Sequence, residues 1–162
     1  ERVDFCREME ELLEIEVIPV DRPEGAAEGA DCIITATSSF SPVFDGEWLS
    51  EGMHINAIGG NFLFKREIDE RTVMSCAVKA VESVEQSKIE AGEFLPLVEK
   101  GRLQWGELTE LGSIVKGDVP GRVNQSDVTL FKSLGIAVED VAVAAHLYRI
   151  ARGAKVGTEV DI

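Results

Sequence analysis

The feature that most constrains the fold is a short apolar run at residues 53–58, which ends in two glycines and an asparagine. Such a run, bounded by turn-forming residues, is typical of a strand buried within a parallel sheet. The pair Gly59 and Gly60 removes the side chains that would keep a ligand from the backbone, and glycine tolerates φ values closed to other residues. Asn61 follows directly, where a crevice would present one hydrogen-bonding group to a bound molecule.

Apolar runs alternate with amphipathic stretches along the chain, which predicts alternating strands and helices. A second apolar run, at residues 32–36, indicates another strand buried on both faces, and helical periodicity is clearest at residues 136–152. The predicted class is therefore α/β with a mostly parallel sheet. The other predicted elements are a helix at 1–14, a strand at 15–20, a short helix ending near 30, a helical turn at 48–49, a helix entered at 65–70, a strand at 73–84, helices at 86–101 and 107–116, extended chain at 127–132 and a terminal strand at 158–162.

Two of the predicted strands end in small or polar residues. The strand at 32–36 leads through Thr35 into a polar segment, and the strand at 53–58 leads into the glycine pair. In open α/β sheets, ligands bind outside the carboxyl ends of the strands. Hydroxyls and bare backbone at two such ends suit a ribose and a flat nicotinamide ring, the alternative being ordinary strand-end turns. We expect these strands to be parallel neighbours, with Thr35 and Gly59 opening on one crevice.

Composition argues against several classes of partner. The chain has 162 residues, 44% of them hydrophobic, which fits one globular domain. Its net charge of −14, from 30 acidic and 16 basic residues, argues against a nucleic acid or an anionic membrane as partner. No apolar run approaches the roughly 18 residues that a membrane span needs. The 3 cysteines are far apart among apolar neighbours, which fits reduced thiols in the cytoplasm and no metal site.

Four segments of the chain resemble the ornithine cyclodeaminase/mu-crystallin family, in the family's order and at plausible spacing. The family binds NAD or NADP and acts on amino acids or cyclic imines, often as a homodimer. The resemblance implies that residues 1–125 are the second half of a doubly wound, Rossmann-like NAD(P)-binding domain that lacks its first strands. It implies that residues 126–162 return to a substrate and dimerisation domain. The four segments are residues 29–38, 53–69, 120–122 and 127–141.

The phosphate-binding signature of dinucleotide-binding folds has no counterpart in this sequence. No Gly-x-Gly-x-x-Gly follows a strand, and no acidic residue closes a second strand to hold the adenosine ribose. The sequence also begins in the body of a helix, without Met. We therefore expect a fragment whose partner is the missing N-terminal half of its parent. Alone, it should bind the cofactor poorly, because contacts between the pyrophosphate and a helix N-terminus are lost.

The resemblance assigns cofactor contacts to six positions and a place in the substrate pocket to Leu134. At Lys65 the preceding residues differ from the family, which commonly has Pro-Gly where this chain has Leu63 and Phe64. The alternative for Lys65 is a solvated charge, and for Ser133 and Leu134 it is packing at a strand end. The six cofactor positions are Thr35, Ile58, Gly59, Gly60, Lys65 and Ser133.

Asn61 is the candidate catalytic residue, and its amide decides which reaction we expect. Cyclodeaminases of the family carry an aspartate here, whose carboxylate helps water to attack an iminium and ammonia to leave. An amide cannot accept that proton at neutral pH. The sequence therefore favours simple hydride transfer to or from a small amino acid or cyclic imine, by a ketimine reductase or an amino-acid dehydrogenase. The alternatives are an ornithine cyclodeaminase, a non-catalytic binding protein of the mu-crystallin kind, and a truncated inactive remnant.

Overall fold

A parallel sheet forms the centre of the computed structural model, which describes residues 1–158 and 160. The described strands are β1 (Cys32–Thr35), β2 (His54–Ala57), β3 (Val78–Val81), β4 (Thr109–Glu110) and β5 (Thr129–Lys132). Their order across the sheet is β1-β2-β5-β3-β4, so the last of the described strands lies between β2 and β3. Every neighbouring pair is parallel. The predicted α/β class and parallel sheet are therefore confirmed.

Helices connect these strands, and local side chains explain where several of them begin and end. Asp69 starts the third helix by accepting a hydrogen bond from Thr72 N at 2.8 Å, and Ser83 caps the fourth by accepting from Gln86 N at 3.3 Å. The helices are α1 (Arg2–Leu13), α2 (Pro23–Ala27), α3 (Glu70–Ser75), α4 (Val84–Glu90), α5 (Leu95–Glu99), α6 (Leu111–Lys116) and α7 (Ala137–Ala154), with 3-10 turns at Gly46–Trp48 and Trp105–Glu107.

The sheet register places side chains of neighbouring strands in rows on its two faces. Ile33 pairs with Ile55, which pairs with Leu130, and this buried row forms part of the core. On the other face of β1, Cys32 is exposed and Ile34 is 63% exposed. The prediction that this strand is buried on both faces is therefore wrong, because no described element covers its second face.

Several predicted elements differ from the structure. Residues 15–20 form no strand, because no described strand lies beside them to satisfy their main-chain groups. Residues 73–84 contain the end of α3 and then β3, instead of one strand. The helix expected from residue 65 begins only at Glu70, after its cap at Asp69.

The helix predicted at 86–101 is two helices, α4 and α5, with Gly92 in the break between them. A Cβ on Gly92 would lie 2.7 Å from Leu63 O and 2.9 Å from Phe62 O, so this close backbone approach requires glycine. The helix predicted at 107–116 begins later, as α6, after the short strand β4. The sequence pattern at 86–101 therefore predicted helical residues correctly, but it did not predict the contact of Gly92 with residues 62 and 63 that divides the helix in two.

Other predicted elements are confirmed, namely the first helix as α1, the turn near Trp48, the extended chain as β5, and the long C-terminal helix as α7. The predicted C-terminal segment, 126–162, begins inside the sheet with β5, and its return to a second domain stays a prediction. The terminal strand expected at 158–162 falls on residues that lie outside the described ones, except Thr158 and Val160. Among the described helices, none is long and apolar enough to cross a membrane.

Candidate functional site

The carboxyl ends of β1, β2 and β5 lie side by side at one edge of the sheet. In the last paired row, Thr35 lies opposite Ala57, and Ala57 lies opposite Lys132. The chain then continues from β2 with a hydrogen bond from Ile58 N to Thr35 O at 2.9 Å. The expected parallel pairing of the first two strands is confirmed. We call this edge, formed by residues 35–37, 58–61 and 133–134, the strand-end crevice.

A single buried carboxylate, Glu67, joins two of these strand ends. Its Oε2 accepts hydrogen bonds from Thr35 Oγ1 at 3.0 Å and from Gly59 N at 2.7 Å. Its Oε1 accepts from Thr37 N at 2.5 Å and from Thr37 Oγ1 at 2.8 Å. The ends of β1 and β2 therefore meet on one side chain, which the sequence reasoning did not single out.

The hydrogen bonds around Glu67 also set its ionisation. Burial by itself would raise the pKa of this carboxyl, but hydrogen bonds from Thr37, Gly59 and Thr35 together hold the pKa below its ordinary value. Glu67 is therefore an ionised acceptor at neutral pH, with both oxygens occupied. It is a poor candidate for a catalytic base, because a base needs a free lone pair and a pKa near the working pH.

Gly59 is required by packing, and neither glycine of the pair is required by a left-handed backbone. Neither Gly59 nor Gly60 has a positive φ, so that part of the sequence interpretation is wrong. A Cβ on Gly59 would overlap both the Thr37 backbone and the Glu67 carboxylate. A Cβ on Gly60 would lie 3.4 Å from Glu93 Oε1. The turn is thus pressed against the carboxylates beneath it, and substitution at Gly59 would displace it.

The end of β5 is organised by a second carboxylate. Glu82 accepts a hydrogen bond from Ser133 Oγ through one oxygen, and from Leu134 N at 3.1 Å through the other. Gly135 N also donates to Glu82, at 3.3 Å. Ser133 and Leu134 are therefore held at the crevice, in the turn that follows β5. The donor proton of Ser133 is used within the protein, which leaves its oxygen free to accept.

Lys65 lies beside an exposed aromatic cluster that we define as Phe40, Phe62 and Phe64. Its ammonium is 5.2 Å from the ring centre of Phe40 and 5.4 Å from that of Phe62. Phe64 stacks on both other rings, at 6.0 Å from Phe40 and 5.5 Å from Phe62. Within residues 1–158 and 160, Lys65 forms no ion pair. The side chain thus presents a cation held by aromatic faces at the edge of the crevice.

Asn61 and Ile58 are the exposed members of the glycine turn. Ile58 is 47% exposed and offers an apolar surface directly after the buried Ala57. Asn61 is exposed, while Gly60 between them is buried. The crevice therefore offers an apolar side chain, main-chain groups and one neutral amide, which matches the needs of a flat ring and a polar reacting group. Thr35, by contrast, is buried, and its hydroxyl is committed to Glu67.

Arg122, in one of the segments that carried the resemblance, lies at the amino end of β5, opposite to the strand-end crevice. It donates to Thr129 Oγ1 at 3.2 Å and to Gln125 O at 3.3 Å, at the amino end of β5. A cavity of about 330 Å³ on one face of the sheet has Arg122, His54 and Phe131 among its lining residues. His54 Nδ1 lies 2.7 Å from Thr129 Oγ1. Arg122 therefore supports the sheet and is remote from the strand-end crevice.

Together, the parallel sheet and its connecting helices define an α/β protein of the Rossmann-like class. The chain belongs to the ornithine cyclodeaminase/mu-crystallin family, whose model matches residues 2–155. Ketimine reductase mu-crystallin of Macropus fuliginosus is 40% identical over 124 residues, which are 76% of this chain and 36% of that protein.

Solved structures agree with this assignment. Delta(1)-pyrroline-2-carboxylate reductase of Thermococcus litoralis, in complex with NADH and L-proline, matches with a TM-score of 0.90 and 37% identity over 98% of this chain and 49% of that one. An archaeal alanine dehydrogenase dimer with bound NAD matches with a TM-score of 0.83 and 32% identity, covering 99% of this chain and 48% of that one. The chain spans less than half the length of the curated relatives it matches.

The residues that sequence reasoning missed are charged groups. Lys132 closes the apolar segment that contains Leu130, and a charge within such a segment was an available signal, since such groups are rarely buried without partners. Glu67 lies in a largely charged run, 65–71, and gave no such signal. What the sequence did not reveal is which main-chain groups they bind.

Proposed function

We propose that the full-length protein of which this chain is part is a NAD(P)-dependent oxidoreductase that transfers hydride to or from a small amino acid or a cyclic imine. Ketimine reduction and amino-acid dehydrogenation are the two forms of this reaction that the site favours. Relatives with both kinds of name, a ketimine reductase and an alanine dehydrogenase, support the class.

The observation that carries the proposal is the neutral amide of Asn61 at a crevice whose nearby carboxylates are either hydrogen-bonded through both oxygens or fully buried. Glu67 has both oxygens hydrogen-bonded and a lowered pKa, so it cannot serve as the base that deamination requires. Glu93 is fully buried beneath the turn. Asn61 can orient an imine or a water through its amide, but it cannot take a proton from water at neutral pH. Hydride transfer needs positioning more than it needs a base.

The crevice fits a nicotinamide cofactor. When bound, the nicotinamide would supply or accept the hydride. Ile58 and the main chain of Gly59 and Gly60 would form the wall beneath its ring, with Thr35 shaping the neighbouring strand end. Lys65, whose ammonium has no acidic partner among the described residues, would contact an anionic part of the cofactor. Ser133 would accept a hydrogen bond from it, and Leu134 would line the substrate pocket.

The test is the substitution Asn61→Asp in the full-length protein, with Asn56→Asp as the matched control. Asn56 lies on β2, which leads into the turn that carries Asn61, and its amide reaches Cys32 Sγ at 3.6 Å. We expect the unaltered protein to reduce cyclic imines or oxidise small amino acids far faster than it releases ammonia from ornithine. Asn61→Asp should raise ammonia release, while Asn56→Asp should not. Conversion of ornithine to proline and ammonia at an ordinary enzymatic rate by the unaltered protein would show that the base lies elsewhere.

We also propose how this chain sits within its parent. Residues 1–125 belong to the cofactor-binding domain, and the part of 126–162 beyond β5 returns to a substrate and dimerisation domain formed by the missing N-terminal half. Support comes from α7, in which no residue is buried and Leu147 is 57% exposed. The relative described as an alanine dehydrogenase dimer supports a homodimer. Free Cys6, Cys32 and Cys76 support a cytoplasmic location.

A further inference from the structure

Lys132 is a charged residue inside the core, and its ammonium binds the ends of two strands. The side chain is 0% exposed and lies in the row with Ala57 at the carboxyl end of the sheet. Its Nζ donates to Ala57 O at 3.3 Å, to Gly60 O, and to Ser133 O at 3.1 Å. The first carbonyl is at the end of β2, the second is in the glycine turn after it, and the third is in the turn after β5.

The main chain alone does not connect these two turns. In the part of the chain that the structure describes, the last main-chain hydrogen bond between β2 and β5 runs from Ser133 N to Ala57 O, at 3.1 Å. Beyond that bond the strands separate into their turns. The Lys132 ammonium continues the connection for one further step, because it reaches Gly60 O on one side and Ser133 O on the other.

Glu93 supplies the opposite charge from the break between α4 and α5. Its Oε1 lies 3.7 Å from Lys132 Nζ and accepts a hydrogen bond from Glu67 N at 3.2 Å. Glu93 is 1% exposed, and its Oε2 has no hydrogen-bond partner in the described residues. Burial raises the pKa of Glu93 and lowers that of Lys132, while their mutual attraction opposes both changes.

Such a pair is a poor source of stability, since removing two charges from water costs more than their attraction commonly returns. Apolar side chains would fill the same space in the core without that cost. A buried pair that binds the carbonyls of two adjacent turns is better explained by the geometry it imposes than by the stability it adds.

We propose that Lys132 and Glu93 are positioning residues that hold the glycine turn and the Ser133 turn at a defined separation, so that both engage one cofactor. This inference rests on the proposed function, because Gly60 and Ser133 are both assigned to the cofactor. Neither charged group touches the cofactor. Both residues act through the turns. The ammonium of Lys132, paired with Glu93, keeps the carbonyls of Gly60 and Ser133 directed toward the core.

The test introduces Lys132→Met and Glu93→Gln into the full-length protein and compares each variant with the unsubstituted full-length protein, which we call the parent. The cofactor Kd is measured by titration, from the fluorescence of NADH or NADPH. We expect each substitution to raise the cofactor Kd of the folded protein at least tenfold. The double variant should be no weaker than Lys132→Met alone, because both residues act through one pair. The matched control is Leu103→Ala, which removes a buried core side chain that binds neither turn and should leave the Kd within twofold.

A purely structural role would lower the melting temperature of all these variants without raising the cofactor Kd of the molecules that fold. A Kd within twofold of the parent in folded Lys132→Met, or an equal rise in Leu103→Ala, would therefore overturn the proposal. If Lys132→Met does not fold, Glu93→Gln decides by the same criterion.

Hydrogen exchange gives a readout that needs no cofactor. The amides of Gly59 and Leu134 are held by Glu67 and Glu82, and they report on the two turns. We expect both to exchange at least tenfold faster in Lys132→Met than in Leu103→Ala, and equal exchange would refute the positioning role. If the parent binds no NADH or NADPH while this difference is present, the proposed function fails, and only the connection of the two turns by Lys132 stands.

Discussion

Replacing Glu67 by glutamine tests whether one carboxylate holds the ends of β1 and β2 together. Each oxygen of Glu67 accepts one main-chain and one hydroxyl hydrogen bond, from Thr37 on Oε1 and from Gly59 and Thr35 on Oε2. A glutamine has one oxygen and one NH2 group in these places. The threonine hydroxyl that faces the NH2 can rotate and accept from it, but the main-chain N–H beside it cannot.

The expected loss follows from this count. One part-buried main-chain N–H, of either Gly59 or Thr37, is left without its acceptor, which costs about 1–3 kcal/mol. The remaining hydrogen bonds lose their charge assistance, and charge-assisted bonds are roughly twice as strong as neutral ones, so about 1 kcal/mol more is lost. We therefore expect Glu67→Gln to lower the free energy of unfolding by about 2–4 kcal/mol at neutral pH.

Urea denaturation followed by circular dichroism measures this difference. The matched control is Glu70→Gln, the same chemical change in a carboxylate that pairs with Lys100 and Arg102 at the surface. Because surface pairs contribute at most about 1 kcal/mol, the control should lose less than that. A loss below about 1 kcal/mol for Glu67→Gln, or an equal loss in the control, would refute the account of Glu67 as the connection between the strands.

Three further outcomes are expected. The pKa of Glu67 in the folded protein lies below its unfolded value of about 4.3, so the stability that its ionised form contributes is complete above that pH and is lost as the pH falls through the folded pKa. Urea denaturation at pH values from 7 to 3 should therefore show a shallower decline in the free energy of unfolding for Glu67→Gln than for the parent. Gly59→Ala should lose about 1–3 kcal/mol by thermal unfolding through overlap with Thr37, whereas Gly112→Ala, in open space on α6, should be neutral or gain up to about 1 kcal/mol. Light scattering should show self-association of the chain that Leu147→Glu reduces, and a monomer at high concentration for the parent would contradict the exposed α7 as an interface.

Features that depend on neighbouring residues were predictable from the sequence. The run that ends in Gly59 and Gly60 forms β2 and its turn, because apolar side chains and glycines act within a few residues of one another. The long helix α7 follows from its periodicity in the same way. The resemblance to the family extended these local predictions to the class of fold.

Features that depend on distant residues were not predictable from local patterns. Residues 15–20 have the composition of a strand, but a strand also needs a neighbour, and no described one is present. The carboxylate of Glu67 and the ammonium of Lys132 bind groups on strands far away in the sequence. Their roles became visible only when the order of the strands placed these groups around them.

The place of β5 in the sheet has a consequence for how the protein is made. Thr129 meets His54, 75 residues earlier in the chain, while the other edge of β5 pairs with β3. Until residues 129–132 leave the ribosome, the edges of β2 and β3 that will face each other have no partner, and unpaired edges invite aggregation. A chain that stops just before β5 should therefore need chaperones and be degraded, and the strand-end crevice is among the last parts of a newly made molecule to form.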